Sequence, residues 1–188
     1  CNEPCTIENL PFVRDTEALA DILLALGAKV TLAGSTMTID PRGVKSAVVP
    51  EEYARRLRAS YYFVGAMLGC FGQADVSYPG GCAIGNRPID QHIKGFEALG
   101  ASVSTDHGVI SARAENGLHG AEIYLDMPSV GATINIMLAA TKAQGNTVIV
   151  NAGSKVENLT VEQIAKIFTG EITDWSEVGG DPGAISCI

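Results

Sequence analysis

The stretch Arg14-Asp15-Thr16-Glu17-Ala18-Leu19-Ala20-Asp21-Ile22-Leu23-Leu24-Ala25-Leu26-Gly27-Ala28-Lys29-Val30 returns later as Arg87-Pro88-Ile89-Asp90-Gln91-His92-Ile93-Lys94-Gly95-Phe96-Glu97-Ala98-Leu99-Gly100-Ala101-Ser102-Val103. In each copy, apolar residues recur at three- and four-residue spacing, which predicts an amphipathic helix. Gly27 or Gly100 then ends it, because a left-handed C-cap is easiest without a side chain. A strand follows, then a tight turn (Gly34-Ser35, or Asp106-His107-Gly108), then a second short strand (Met37-Thr38-Ile39, or Val109-Ile110-Ser111-Ala112). Pro88 suits a first helical turn, where its missing N–H costs nothing. A fixed pattern repeated at this length marks a fold built from similar units.

A second kind of helix alternates with the first. One is predicted to start at Pro50-Glu51-Glu52-Tyr53 and to pass through Arg58 to about Gly69. Another runs from Ser129-Val130-Gly131-Ala132-Thr133 to about Lys142, then turns at Gly145-Asn146 into the strand Thr147-Val148-Ile149-Val150. The fold class is therefore mixed α/β (α+β), with βαβαββ units whose helices pack together and whose sheets lie outside. The repeat units cover about 14–45 and 87–115, within a domain of 1–152. Near Gly153 the composition shifts. The helix-Gly-Ala-strand pattern is due a third time, but the chain reads Thr160-Val161-Glu162-Gln163-Ile164-Ala165-Lys166-Ile167-Phe168-Thr169-Gly170. Thr160 is a plausible N-cap and Gly170 a plausible C-cap of a different helix. Residues 153–188 thus form a helix-containing segment in place of a third repeat.

Composition bounds the function. A net charge of −8 without a basic cluster argues against nucleic acid as a partner. The longest mostly apolar stretch, 61–72, is too short for a bilayer span, and no basic-then-apolar leader is visible. The five cysteines form neither a paired metal motif nor a regular disulfide framework, and His92, His107 and His119 lack zinc-site spacing. No metal and no cofactor is implied. A cytosolic protein with free thiols is the plain reading, with a pairing among Cys1, Cys5 and Cys187 left open.

Four places suggest chemistry. Tyr78-Pro79-Gly80-Gly81-Cys82-Ala83-Ile84-Gly85-Asn86-Arg87 sets a thiol among glycines, in a segment suited to presenting Cys82 and backbone N–H groups to a ligand. Arg87 would favour the thiolate if it folds nearby. From spacing alone, a surface loop with an incidental cysteine is the commoner case. Arg58 belongs to an arginine cluster that is either a solvated basic face or an anion clamp. Ser129-Val130-Gly131 is either a plain N-cap or a phosphate seat at a helix start. His92 falls within a helix, where an exposed or capping role is the ordinary one.

Taken in order, Arg58-Ala59-Ser60, the loop 79–90, Gly95-Phe96-Glu97-Ala98-Leu99-Gly100-Ala101 and Pro128-Ser129-Val130-Gly131-Ala132-Thr133 resemble the UDP-N-acetylglucosamine enolpyruvyl transferases over about residues 6–151. The resemblance implies transfer of enolpyruvyl from phosphoenolpyruvate to UDP-N-acetylglucosamine for peptidoglycan synthesis, in the cytoplasm. It implies that Cys82 is the loop cysteine, general acid and fosfomycin target. Arg58 and Arg87 would grip phosphoenolpyruvate. Arg87, Pro88, Ile89, Asp90 and His92 would line the uridine and diphosphate site, and Ser129, Val130 and Gly131 would hold the diphosphate. The family's site lies between two domains of three units each, and this stretch matches one of them. The family's Lys-Asn pair, its second-domain Asp base and its second-domain Arg have no counterpart here. The tail 154–185 instead resembles a segment of the periplasmic phosphate-binding proteins of ABC transporters. That implies a chimera, with a recombined scaffold or a phosphate-binding-related module as the alternative to an enzyme.

Overall fold

In the computed structural model, residues 3–78, 89–151, 155–156 and 159–185 are described. The first repeat copy forms α1 (Arg14–Ala25), preceded by β1 (Cys5–Ile7) and followed by the hairpin β2 (Lys29–Ala33) and β3 (Thr36–Asp40). These strands make one antiparallel sheet in the order β1-β3-β2, with Val30 opposite Ile39. Then come β4 (Val48–Val49), α2 (Glu51–Ala54), α3 (Tyr62–Phe71) and β5 (Gln73–Ser77). The second copy follows as α4 (Asp90–Ala98), β6 (Ser102–Asp106) and β7 (Val109–Arg113). Their sheet runs β4-β5-β7-β6, with β4 and β5 parallel and the rest antiparallel. Finally β8 (Glu122–Leu125), α5 (Val130–Ala140) and β9 (Val148–Asn151) form a parallel pair with its crossover helix, and α6 (Val161–Phe168) comes after it.

The expected repeat is real in three dimensions. The pieces β1-α1-β2-β3 and β5-α4-β6-β7 share element order and sheet order, and β4-α3-β5 and β8-α5-β9 are both parallel βαβ crossovers. Overlaid on β5, the two kinds of piece make one complete βαβαββ unit, β4 to β7. Gly27 and Gly100 take φ of +101° and +93° where α1 and α4 end, as the left-handed stop requires. The β6–β7 turn places His107 and Gly108 both at positive φ, the twist that matches flanking strands.

One expectation fails locally. The helix foreseen from Pro50 to about Gly69 breaks into α2, an extended Leu57, a 3₁₀ turn at Arg58–Tyr61, and α3. Leu57 is buried in the main core, and the Arg56 guanidinium pairs with Asp21 of α1 at 2.7 Å. Burial and tertiary pairing thus override a helical pattern that is locally unbroken. Pro88 lies outside the described residues.

Helices α3 and α5 are apolar nearly all round and pack against each other inside the sheets. Val64, Met67 and Leu68 meet Ala132, Ile136 and Ala139 in the core, with Phe96 and Leu99 of α4 and Ile22 and Leu26 of α1 beside them. The helices approach closely because α3 presents Gly65 to Asn135 of α5, and α4 presents Gly95 to Ile136. The inner layer leaves an apolar cleft of about 360 Å³ between α1, α3 and α5, lined by Leu19, Leu57, Tyr62, Phe63 and Leu138. Helix α6 lies elsewhere. Ile123 and Leu125 of β8 point into the core, whereas Tyr124, Val148 and Val150 on the opposite face line a small hollow with Leu159 and Ile164. Thus α6 covers the outer face of the β8–β9 pair. Its N-terminus carries the foreseen Thr160 cap, here a capping box with Gln163.

Any side chain at position 65 would strike the Asn135 backbone oxygen and Oδ1. Gly65→Ala is therefore expected to lose about 1–3 kcal/mol of stability through overpacking. Urea denaturation checks this, and an unchanged midpoint would mean that the two helices have room to spare.

Candidate functional site

The site begins with Arg58, the first residue of the 3₁₀ turn that leads into α3. Its neighbours Arg55 and Arg56 are paired with Glu51 and Asp21. Arg58 is exposed and has no ion pair among the described residues, so its charge is available to an anion. In a 3₁₀ turn, residues three apart stack on one side, so Arg58 and Tyr61 share a side.

Tyr61 carries the link onward. Its ring meets the His92 imidazole edge-on, with centroids 5.1 Å apart. A Cβ added at Gly131 would lie 3.1 Å from the Tyr61 hydroxyl and 3.6 Å from His92 Cε1 and Nε2. The start of α3, the first turn of α4 and the first turn of α5 therefore converge on one spot. At the starts of α4 and α5 the leading N–H groups lack an i−4 carbonyl and the helix dipole turns its positive end outward, whereas at α3 the preceding 3₁₀ turn takes up the Tyr62 N–H and Asn135 Oδ1 the Gly65 N–H. Ser129 caps α5, its Oγ accepting from the Ala132 N–H at 3.2 Å, and Val130 is 77% exposed at the first helical position. The N–H groups of Val130 and Gly131 are then the ones left to face an incoming anion.

Ile89 precedes α4 as its cap residue and packs against the core, and Asp90 opens the helix. A polar lattice ties this end to the segment after β8. Gln91 Nε2 donates to Asp90 Oδ2 and Asp126 Oδ2, both at 3.0 Å, and Gln91 Oε1 accepts the Asp126 N–H at 2.8 Å. Lys94 Nζ donates to Asp126 Oδ1 at 2.6 Å. These hydrogen bonds from Lys94 and Gln91 hold the Asp126 carboxyl below the usual range. The lattice fixes the chain that leads from Asp126 to Ser129, and so fixes the entrance of α5 relative to α4.

His92 departs from its ordinary reading. It is buried, at 9% exposure, rather than exposed or capping. Desolvation lowers its pKa below the ordinary 6.5, and the nearby Asp90 charge only partly opposes this. The imidazole is thus held neutral. Its ring meets Asn135 Nδ2 at 3.1 Å through Nδ1.

Six residues singled out in the sequence are brought together: Ile89, Asp90, His92, Ser129, Val130 and Gly131, with Arg58 on the 3₁₀ turn that carries Tyr61. Cys82, Arg87 and Pro88 lie outside the described residues. In sequence they fall between β5 and α4, and Tyr78, after β5, donates its N–H to the Gly108 carbonyl at 2.8 Å. Tyr61, Gln91, Asp126 and Asn135 went unnoticed. Asn135 had a visible signal, as a lone amide between Ile134 and Ile136 in an apolar helix. Cys5 and Cys70 are free and exposed, and among the described residues no group of three acidic, histidine or cysteine side chains could hold a metal. No described helix is long and apolar enough to cross a membrane.

The family model for EPSP synthase (3-phosphoshikimate 1-carboxyvinyltransferase) matches residues 1–180. This match runs on past Gly153, through most of the segment expected to come from another fold. UDP-N-acetylglucosamine 1-carboxyvinyltransferase 2 of Oceanobacillus iheyensis is 50% identical over 186 residues, which is 97% of this chain and 43% of that one. Its namesake in Bacillus subtilis is 53% identical over 160 residues, 85% of this chain and 37% of that one. The chain thus spans about two-fifths of the length of these curated relatives. Among solved structures, the enolpyruvyl transferase NikO from Streptomyces tendae aligns with a TM-score of 0.68 at 21% identity, covering 89% of this chain and 38% of that one. The EPSP synthase from Acinetobacter baumannii aligns at 0.64 and 18% identity, covering 93% and 39%. At such identities the likeness is one of fold: a single domain of a two-domain architecture.

The buried imidazole makes a pH prediction. Folding favours neutral His92, so below the ordinary pKa of 6.5 the unfolded chain binds more protons than the native one. The His92 contribution to stability is complete above that value and is lost as pH falls below it. Wild type should therefore lose more stability than His92→Gln between about pH 7 and about pH 5 in urea denaturation. Equal losses would mean that the ring charges freely in the native state.

Proposed function

The chain belongs to the EPSP synthase family, and from that premise we propose that it is one domain of a UDP-N-acetylglucosamine enolpyruvyl transferase. The observation that carries this reading is the meeting of the α4 and α5 starts at Tyr61, beside Arg58, which has no ion pair among the described residues. Such a seat suits the diphosphate of a nucleotide sugar. The names of the relatives at about half identity support the same substrate.

In this reading Ser129, Val130 and Gly131 hold the diphosphate, while Ile89, Asp90 and His92, with Arg87 and Pro88, line the uridine side. Arg58 and Arg87 grip phosphoenolpyruvate. Cys82 supplies a thiol that acts as general acid and can add to phosphoenolpyruvate. The sugar hydroxyl displaces phosphate from the enolpyruvyl carbon: one C–O bond forms, the C–O bond to phosphate breaks, and inorganic phosphate leaves. The product feeds peptidoglycan synthesis in the cytoplasm. Cys82 is also the thiol on which fosfomycin would act.

The 188-residue chain by itself supplies one wall of the cleft. One wall neither excludes water nor positions two substrates, so the proposal separates binding from turnover. UDP-N-acetylglucosamine at millimolar concentration should shift the amide resonances of Val130, Gly131 and His92. Silence at all three would sink the binding reading. Steady formation of enolpyruvyl product by this chain, abolished in Cys82→Ser, would instead show that one domain suffices. Fosfomycin should add one molecule to Cys82 by mass spectrometry and none to Cys82→Ser.

A second reading concerns residues 153–188. After β5 the chain enters the helical layer as α4, whereas after β9 it forms α6 on the outer face of the β8–β9 pair. That difference supports a tail exchanged for a fragment of phosphate-binding-protein type, making the chain a recombined one. The family match that continues to residue 180 weighs on the other side. Amplification of one unbroken natural gene across the codons for Gly145 to Thr173 would remove the recombination reading.

A further inference from the structure

We infer that Asn135 is a positioning residue that holds His92 with its ring proton on Nε2, directed at the start of α5. The inference rests on the proposed nucleotide-sugar reading for its purpose, but not for its geometry.

Asn135 is 1% exposed in the middle of α5, where an unpaired amide would be costly. Its Oδ1 accepts the Gly65 N–H at 2.9 Å, and its Nδ2 donates to the Tyr61 carbonyl at 2.9 Å. Those two groups stand at i and i−4 at the entrance of α3, so the side chain clasps that entrance. The clasp also settles which end of the amide is which. A backbone N–H can only donate and a carbonyl can only accept, so Oδ1 must face Gly65 and Nδ2 must face Tyr61.

The remaining hydrogen of Nδ2 points at His92 Nδ1, 3.1 Å away. An amide nitrogen cannot accept, so Nδ1 must be the acceptor and carry no proton. A neutral imidazole then bears its hydrogen on Nε2. A Cβ at position 131 would lie 3.6 Å from that nitrogen, so the N–H emerges beside the backbone donors of Val130 and Gly131. Among the described residues Asp90, on the same helix, is the charged group that faces the ring; Tyr61 on the 3₁₀ turn and Asn135 and Gly131 of α5 bring no charge. Asn135 therefore does two things for His92. It selects the tautomer, and it opposes the imidazolium, whose Nδ1–H would abut an N–H₂ group.

The test uses the whole 188-residue chain. Two-bond proton–nitrogen NMR correlation of the His92 ring should show a protonated Nε2 and an unprotonated Nδ1 in wild type. A protonated Nδ1, or an even mixture, overturns the inference with no variant needed. Asn135→Asp keeps the shape and the Gly65 bond but presents an acceptor to the ring. It should move the proton to Nδ1 and raise the pH at which His92 titrates. Asn135→Leu, without a donor, should release the preference. An unchanged tautomer in a folded Asn135→Asp overturns the inference. A substitution that only loosened the core would leave the ring pattern as it was. In the ligand arm, Asn135→Asp should weaken UDP-N-acetylglucosamine binding roughly tenfold or more, the scale of one lost hydrogen bond to a charged group. If wild type shows the stated tautomer but UDP-N-acetylglucosamine perturbs neither Val130 nor Gly131, the nucleotide-sugar reading fails and the hold of Asn135 on the ring stands.

Discussion

The crossing of α3 and α5 is the constraint from which the rest follows. Asn135 reaches from one helix into the entrance of the other, and Gly65 has no side chain to keep it out. A fully buried amide is stable there only because its oxygen and both its hydrogens find partners. Once the two helices are locked at this point, Gly95 lets α4 settle against Ile136, and the first turns of α3, α4 and α5 meet. The sheets lie outside this layer and cover part of it, leaving Ile134, Met137 and Leu138 of α5 exposed. The same contact that makes the core compact therefore also makes the site.

That site works against the charge of the molecule. A chain of net −8 would repel an anion if charge were spread evenly. Here the positive potential is local. Arg55 and Arg56 are spent on ion pairs within the fold, whereas Arg58, three residues before Tyr61, has none among the described residues. The polar lattice of Gln91, Lys94 and Asp126 neutralises a carboxylate close to the entrance of α5. The peptide N–H groups then provide the remaining attraction without any further basic side chain.

Much of this could be read from the sequence, and what could not has a common cause. The repeat was legible because helix period, terminal glycine and hairpin are local signals, and they survive in Gly27 and Gly100. The caps at Ser129 and Thr160 were legible for the same reason. The break at Leu57 was not, because the force that extends it is burial against residues far along the chain. Nothing local marks His92 as buried, since its partners Tyr61 and Asn135 are 31 and 43 residues away and no local pattern joins them. The face chosen by α6 was equally hidden. Its amphipathic pattern says that one side is buried, but not against which surface. The roles of Cys82 and Arg87 came from resemblance, not from spacing.

In the proposed reading the anion is held by main-chain N–H groups, which come with the fold and not with particular side chains. The Val130 side chain is turned to solvent, so a change of side chain at that position leaves its peptide N–H in place. The structural likeness at 21% and 18% identity shows how far side chains in this architecture can change while the helices keep their places. Lineages that share the fold can therefore exchange the residues around the helix starts while the main-chain N–H groups there stay where the backbone puts them.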